Sequence, residues 1–160
     1  SVLKKIKGGI IMDRKKILVV VSHGSKRQES NQEFKSFIQK LTQLNSETKK
    51  GKEFGSLSVM SDQAEAADLS GQYAEIRGAC LEFASPQLEN VIEDLVKKGY
   101  DEFDILPLFI FAGYHVRQDI PERMEALKSN FEELEYEILE HPAAAADFAN
   151  YIFKQALSQK

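Results

Sequence analysis

Two histidines and a glutamate, His23, His115 and Glu82, are the residues of this chain whose types could do chemistry together. Two imidazoles and a carboxylate make a donor set for a divalent first-row metal and leave positions open for exchange. A neutral imidazole can also accept a proton near pH 7. The three lie far apart along the chain, and neither His pair has the i, i+4 spacing of a helical zinc motif. They act together only if the fold brings them to one place. Each also has a plainer reading. A His after a strand often caps a turn, Glu82 could be a surface residue ahead of a helix, and His115 follows an apolar segment (Phe109, Ile110, Phe111, Ala112, Gly113, Tyr114) where a hydrogen-bonded structural His is common. His141, beside Pro142, reads as structural, Cys80 as a buried core thiol, and the acids Glu132, Glu133, Glu135 and Glu137 as a solvated face.

The elements that must position these residues begin with Ile17, Leu18, Val19, Val20 and Val21, an unbroken apolar run followed abruptly by Ser22-His23-Gly24-Ser25. Such a run, with turn residues at its end, predicts a strand buried on both faces. Residues 31–45 carry Phe34, Phe37, Ile38, Leu41 and Leu44 at helical spacing. Residues 46–71 hold Gly51, Gly55, Gly71 and a cluster of acids with no sustained period, and predict an inserted loop. A second strand is expected over 73–83, ending at Glu82. Ser85-Pro86 then reads as N-cap and first helical residue of a helix with Leu88, Val91, Ile92, Leu95 and Val96 inward, which Gly99 ends. A third strand is expected over 103–109, a loop over 110–118, and a helix capped by Asp119 running through Met124, Leu127 and Phe131. A fourth strand over 134–139 and a last helix over 143–157, with Phe148, Ile152 and Gln155 on one side, complete the chain.

Strand–helix alternation, four times over, predicts an α/β fold: a four-stranded parallel sheet with helices on both faces. His23, Glu82 and His115 then fall at or just past the carboxyl ends of three successive strands, where open α/β sheets bind their ligands.

Bulk properties narrow the choice further. The chain has 160 residues and fits one domain over 15–160, with residues 1–14 an N-terminal extension and Met12 a fitting natural start. A net charge of −4 speaks against a nucleic-acid binder. No apolar run approaches membrane-spanning length, and a single cysteine excludes an internal disulfide framework. A cytoplasmic setting is expected. There is no G-x-G-x-x-G, G-x-x-x-x-G-K-[ST] or G-x-S-x-G, so dinucleotide, P-loop and nucleophile-elbow readings have no support.

Three signatures taken together carry a resemblance: Ser22-His23-Gly24-Ser25, Leu81-Glu82-Phe83-Ala84-Ser85-Pro86, and Leu106-Pro107-Leu108-Phe109 followed by Gly113-Tyr114-His115-Val116-Arg117-Gln118-Asp119-Ile120-Pro121. The chain resembles the small form of the CbiX/SirB family, class II tetrapyrrole chelatases acting on sirohydrochlorin, over residues 16–45 and 73–157. The resemblance implies one half of the two-lobed chelatase fold, paired as a homodimer. It implies a divalent metal (Co²⁺, Fe²⁺ or Ni²⁺) as substrate rather than as a tightly bound cofactor. His23, Glu82 and His115 would hold the metal and carry catalysis. Ser22, Ser25, Lys26, Arg27, Tyr114 and Arg117 would line the site of the carboxylated macrocycle. No membrane or nucleic-acid partner is expected. The compact members lack most of residues 46–71, a departure that touches the roof of the cleft. Two rivals stand beside this reading: a non-catalytic metal or tetrapyrrole binding module, and a phosphohistidine carrier using His23.

Overall fold

The computed structural model describes residues 4–5, 11–12, 16–49 and 73–160. Two short strands, β1 (Lys4–Lys5) and β2 (Ile11–Met12), pair antiparallel ahead of the main sheet. That sheet is built from β3 (Lys16–Ser22), β4 (Tyr73–Cys80), β5 (Glu102–Pro107) and β6 (Glu135–Ile138) in the order β4-β3-β5-β6, all parallel.

The expected four-stranded parallel sheet is present, and β3 occupies an inner position because residues 17–21 can be buried on both faces. One face receives Ile17, Val19 and Val21; the other receives Leu18 and Val20. Helix α1 (Gln28–Lys49) lies on the second face through Phe34, Ile38 and Leu41. On the first, α2 (Leu88–Lys97) inserts Leu88, Val91, Ile92 and Leu95, and α3 (Ile120–Asn130) inserts Ile120, Met124 and Leu127. Helix α2 ends as its sequence requires. Gly99 takes φ +94°, its N–H reaches the Val96 carbonyl, and the Tyr100 N–H reaches Leu95, which satisfies carbonyls left open by the last turn.

Four local expectations are corrected. Helix α1 begins at Gln28 and runs to Lys49, so the expected loop cannot start at 46; residues 50–72 lie outside the described residues. The second helix starts at Leu88, not at Ser85-Pro86. Here the Pro86 carbonyl accepts the Cys80 N–H at 2.9 Å, so residues 81–86 bend back to bridge Cys80 instead of opening a helix. The expected loop over 110–118 contains a π-helical turn, His115–Asp119, running straight into α3. Asp119 therefore has helical backbone angles (φ −64°, ψ −51°) and makes no cap bond. The last segment divides into a 3₁₀ turn, Pro142–Ala144, and α4 (Phe148–Ser158), and α4 has Phe148 half-buried and no residue fully buried among the described residues.

Candidate active site

The sheet's ladder does not stop where its strands stop. Past β3 and β4 the Leu81 N–H donates to the Ser22 carbonyl at 3.1 Å, and the Glu82 N–H donates to the His23 carbonyl at 2.9 Å. Two site residues are thus fixed as backbone neighbours before their side chains are considered. Gly24 is needed for that approach. It has φ +86°, and a Cβ there would stand 1.9 Å from the Glu82 carbonyl oxygen.

From this frame the His23 and Glu82 side chains face each other, with Nε2 3.5 Å from Oε2. The Nδ1 of His23 lies 3.2 Å from the Gly24 carbonyl oxygen. His115 arrives from the opposite direction on its π turn. Its ring centroid is 4.8 Å from that of His23, edge to face. The two imidazoles therefore meet, and Glu82 joins His23. Among the described residues no three His, Cys, Asp or Glu side chains already surround one point as a metal ion would require. The site is two converging imidazoles with a carboxylate beside one of them. Such an arrangement can take an ion at one or two positions and release it, which a closed cage does poorly.

Aromatic rings wall the pair. Phe109 stacks on His115 at 5.7 Å, Tyr114 meets it edge-on at 5.6 Å, and Phe83 lies 5.5 Å from His23. Phe83 holds φ +57°, a left-handed conformation costly for a side chain of that size. Its exposed ring also carries the Lys26 ammonium, 5.0 Å from the ring centroid.

The remaining expected site residues sit as follows. Ser22 Oγ is 3.6 Å from Cys80 Sγ, beneath the cleft. Ser25 ties down the entry to α1: its N–H donates to Asn31 Oδ1, its Oγ accepts from the Arg27 N–H, and its carbonyl accepts from Asn31 Nδ2. Arg27 is exposed. Arg117 turns back to donate from Nε to the Ala112 carbonyl at 3.0 Å, bracing the loop that carries Tyr114.

Two residues of the site escape a reading that treats Asp119 as a cap. Asp119 Oδ2 lies 2.8 Å from His115 Nδ1, and Oδ1 accepts from Arg123 Nε at 2.9 Å. Burial alone would raise the Asp119 carboxyl pKa, but the hydrogen bonds from His115 and Arg123 outweigh it and hold it below the ordinary carboxylate value. Arg123 also reaches the Leu81 carbonyl at 3.2 Å and Glu89 at 3.3 Å. The signal was available in the sequence: His115, Asp119 and Arg123 recur at i, i+4, i+8, one stripe of a helix that already runs before Pro121.

The sequence model of the CbiX family matches residues 55–158, well over half of the chain. A sirohydrochlorin cobaltochelatase of Saccharolobus solfataricus is 36% identical over 53 residues, 33% of this chain and 41% of the relative. A second, from Sulfurisphaera tokodaii, is 33% identical over 48 residues, 30% of this chain and 40% of the relative. The chain thus spans about two fifths of the length of the curated relatives it matches. Among solved structures, a CbiX protein from Marinobacter aquaeolei VT8 superposes with TM-score 0.65 at 17% identity, over 91% of this chain and 100% of that one. SirB from Bacillus subtilis with Fe³⁺ superposes with TM-score 0.55 at 20% identity, over 79% of this chain and 40% of that one. These likenesses bear on the fold, an α/β half-sheet of the kind just described.

Proposed function

The chain belongs to the CbiX family, and from that premise we propose that it inserts a divalent metal, Co²⁺, Fe²⁺ or Ni²⁺, into sirohydrochlorin. One observation carries the reading: two imidazoles 4.8 Å apart at the carboxyl edge of a parallel sheet, with a carboxylate 3.5 Å from one of them. Insertion exchanges one M²⁺ for the two protons of the pyrrole N–H groups, so the macrocycle's net charge does not change. The ion must shed water, and nitrogen ligands that can be traded for ring nitrogens suit that step. The two protons need acceptors, and an imidazole freed as the ion leaves is one near neutral pH. Glu82 stabilises the ion or an imidazolium through its negative charge.

The macrocycle's carboxylates favour cations at the rim. Lys26, whose ammonium lies over Phe83, and the exposed Arg27 would serve there, and the exposed rings of Tyr114 and Phe83 would be the macrocycle's stacking faces. Arg117 reaches the rim only by giving up its bond to Ala112. Two copies of the chain pair in this reading. What supports the pairing is α4, which leaves Tyr151, Ile152, Phe153 and Leu157 exposed, with Phe111 77% exposed nearby.

An anaerobic assay of sirohydrochlorin with Co²⁺, followed by absorbance, tests the activity. The chain should accelerate insertion, and His23→Ala should abolish it while the far-UV circular dichroism is unchanged. A His23→Ala protein as fast as wild type would reject the site.

A further inference from the structure

Asp119 stands between two donors. Its Oδ2 is 2.8 Å from His115 Nδ1 and its Oδ1 is 2.9 Å from Arg123 Nε. An arginine side chain has no acceptor, and a carboxylate has no donor. The Arg123 contact therefore fixes one carboxylate oxygen as an acceptor. The other oxygen can only accept as well, so it requires the proton of His115 on Nδ1. The lone pair then sits on Nε2, the ring nitrogen remote from the helix. The π turn sets this up: the Ile120 N–H bonds the His115 carbonyl, one residue wider than an α-turn, with Asp119 one turn beyond His115. Among the described residues nothing comparable holds His23, whose Nδ1 meets the Gly24 carbonyl oxygen at 3.2 Å and whose Nε2 faces Glu82.

We propose that Asp119, buttressed by Arg123, is a positioning residue that locks His115 in the Nδ1–H tautomer and so presents its Nε2 lone pair to the incoming metal. The inference rests on the chelatase reading for its purpose but not for its geometry. Arg123 adds a second link. By donating to the Leu81 carbonyl it ties the His115 helix to the residue just before Glu82, so the two sides of the cleft share one brace.

The substitution that tests it is Asp119→Asn. Asparagine offers one acceptor oxygen where two donors now compete. If Arg123 keeps that oxygen, the amide NH₂ faces His115 and accepts no proton from it, which drives the ring to the Nε2–H tautomer and occupies the metal-binding lone pair. Long-range ¹H–¹⁵N spectra of the metal-free chain near pH 8 read this directly, since there are only 3 histidines to assign. Wild type and Asp119→Glu should show His115 as Nδ1–H, and Asp119→Asn as Nε2–H. Co²⁺ affinity of Asp119→Asn should fall about 10–100-fold, with kcat reduced and KM for sirohydrochlorin unchanged. Adding Arg123→Met to Asp119→Asn frees the amide oxygen for His115, so the double variant should regain Nδ1–H and part of its Co²⁺ affinity. A merely structural role predicts a double variant worse than either single one. An Nε2–H His115 in wild type, or an unchanged tautomer in Asp119→Asn, overturns the proposal whatever the activity. A wild-type chain with the expected tautomer that binds none of Co²⁺, Fe²⁺ and Ni²⁺ sinks the chelatase reading instead, while the tautomer lock itself stands.

Discussion

The same three strands carry a polar cluster at each end, and the two clusters behave oppositely. At the amino end, Lys16 on β3 places Nζ 2.9 Å from Asp104 Oδ1 on β5 and 3.8 Å from Glu102, while Tyr73 on β4 donates to Asp104 Oδ2 at 2.6 Å. The hydrogen bond to Asp104 raises the Lys16 pKa despite partial burial, and burial together with the same carboxylate raises that of Tyr73. Both donors there reach the Asp104 carboxylate, while Glu102 Oε2 stays buried without a hydrogen-bond partner among the described residues. At the carboxyl end, His23, Glu82 and His115 follow those same strands, yet the imidazoles meet each other, and among the described residues the one ionic partner of His23 is Glu82 at 3.5 Å. A cluster that closes on itself is holding strands together. The carboxyl-end cluster instead brings two imidazole rings edge to face, and the proposed handling of a metal ion rests on that meeting.

Substitutions should separate the two ends cleanly. The largest effect expected is at the carboxyl end: His115→Ala should lower kcat/KM for Co²⁺ insertion by more than about 10²-fold, beyond what loss of a supporting residue costs. Its urea midpoint should move less than that of Asp104→Ala, because the part-buried ring gives up one side-chain hydrogen bond and its ring contacts. Asp104→Ala should do the reverse. It leaves the Lys16 ammonium and the Tyr73 hydroxyl without their acceptor at a position only 6% exposed, a loss of about 2–4 kcal/mol by urea unfolding. The rate at 25 °C should hold. If Asp104→Ala instead lost activity and kept its stability, the division of labour between the ends would be wrong.

Alkaline titration sharpens the contrast with a smaller effect. Lys16 and Tyr73 both have folded pKa values above their ordinary ones. A raised value means the protonated form is favoured by folding. The stabilisation is therefore complete below the unfolded values, about 10 for tyrosine and about 10.4 for lysine, and is lost as pH rises through the folded ones. Urea midpoints measured from pH 8 to 11 should fall above pH about 10 in wild type. The fall should be shallower in Asp104→Asn, where the carboxylate charge is gone. Parallel curves for the two proteins would remove Asp104 as the cause.

The core of this architecture was readable because burial on both faces leaves a plain mark. Five apolar residues in a row at 17–21 can be only a covered strand in a chain this size, and Gly99 marks a helix end that needs a positive φ. Convergence of His23, Glu82 and His115 followed from their places at or just past the carboxyl ends of parallel strands. The support around them did not. Residues 110–118 look like loop because Gly113 and an apolar stretch hide a helical start, so Asp119 is mistaken for a cap when it is an interior residue bonded to the histidine one turn earlier. Ser85-Pro86 has the composition of a helix entry, but the Cys80 N–H claims the Pro86 carbonyl and delays the helix to Leu88. Local propensity lost at Ser85-Pro86 to a hydrogen bond from the neighbouring strand end, and at Asp119 to a helical turn that starts earlier than the composition suggests. The stripe expected along the last helix is real in sequence, yet among the described residues only its Phe148 is half-buried and Ile152 stays exposed.

Phe83 gives the smallest expected effect and the finest comparison, because it sets stability against site geometry within one residue. Its φ of +57° is a conformation that costs a non-glycine residue roughly 1 kcal/mol or more. Glycine adopts it freely, and the phenyl ring, 53% exposed, gives up little burial when removed. Phe83→Gly should therefore leave the chain equally stable or up to about 1 kcal/mol more stable, the gain in backbone strain offset by glycine's extra freedom in the unfolded chain. The same change strips the wall beside His23 and the surface under the Lys26 ammonium. KM for sirohydrochlorin should rise several-fold while Co²⁺ affinity, set by the imidazoles, stays put. A strained residue that the fold itself needed would do the opposite: Phe83→Gly would cost stability and leave KM untouched, and the ring would then belong with the self-contained cluster at the other end of the sheet.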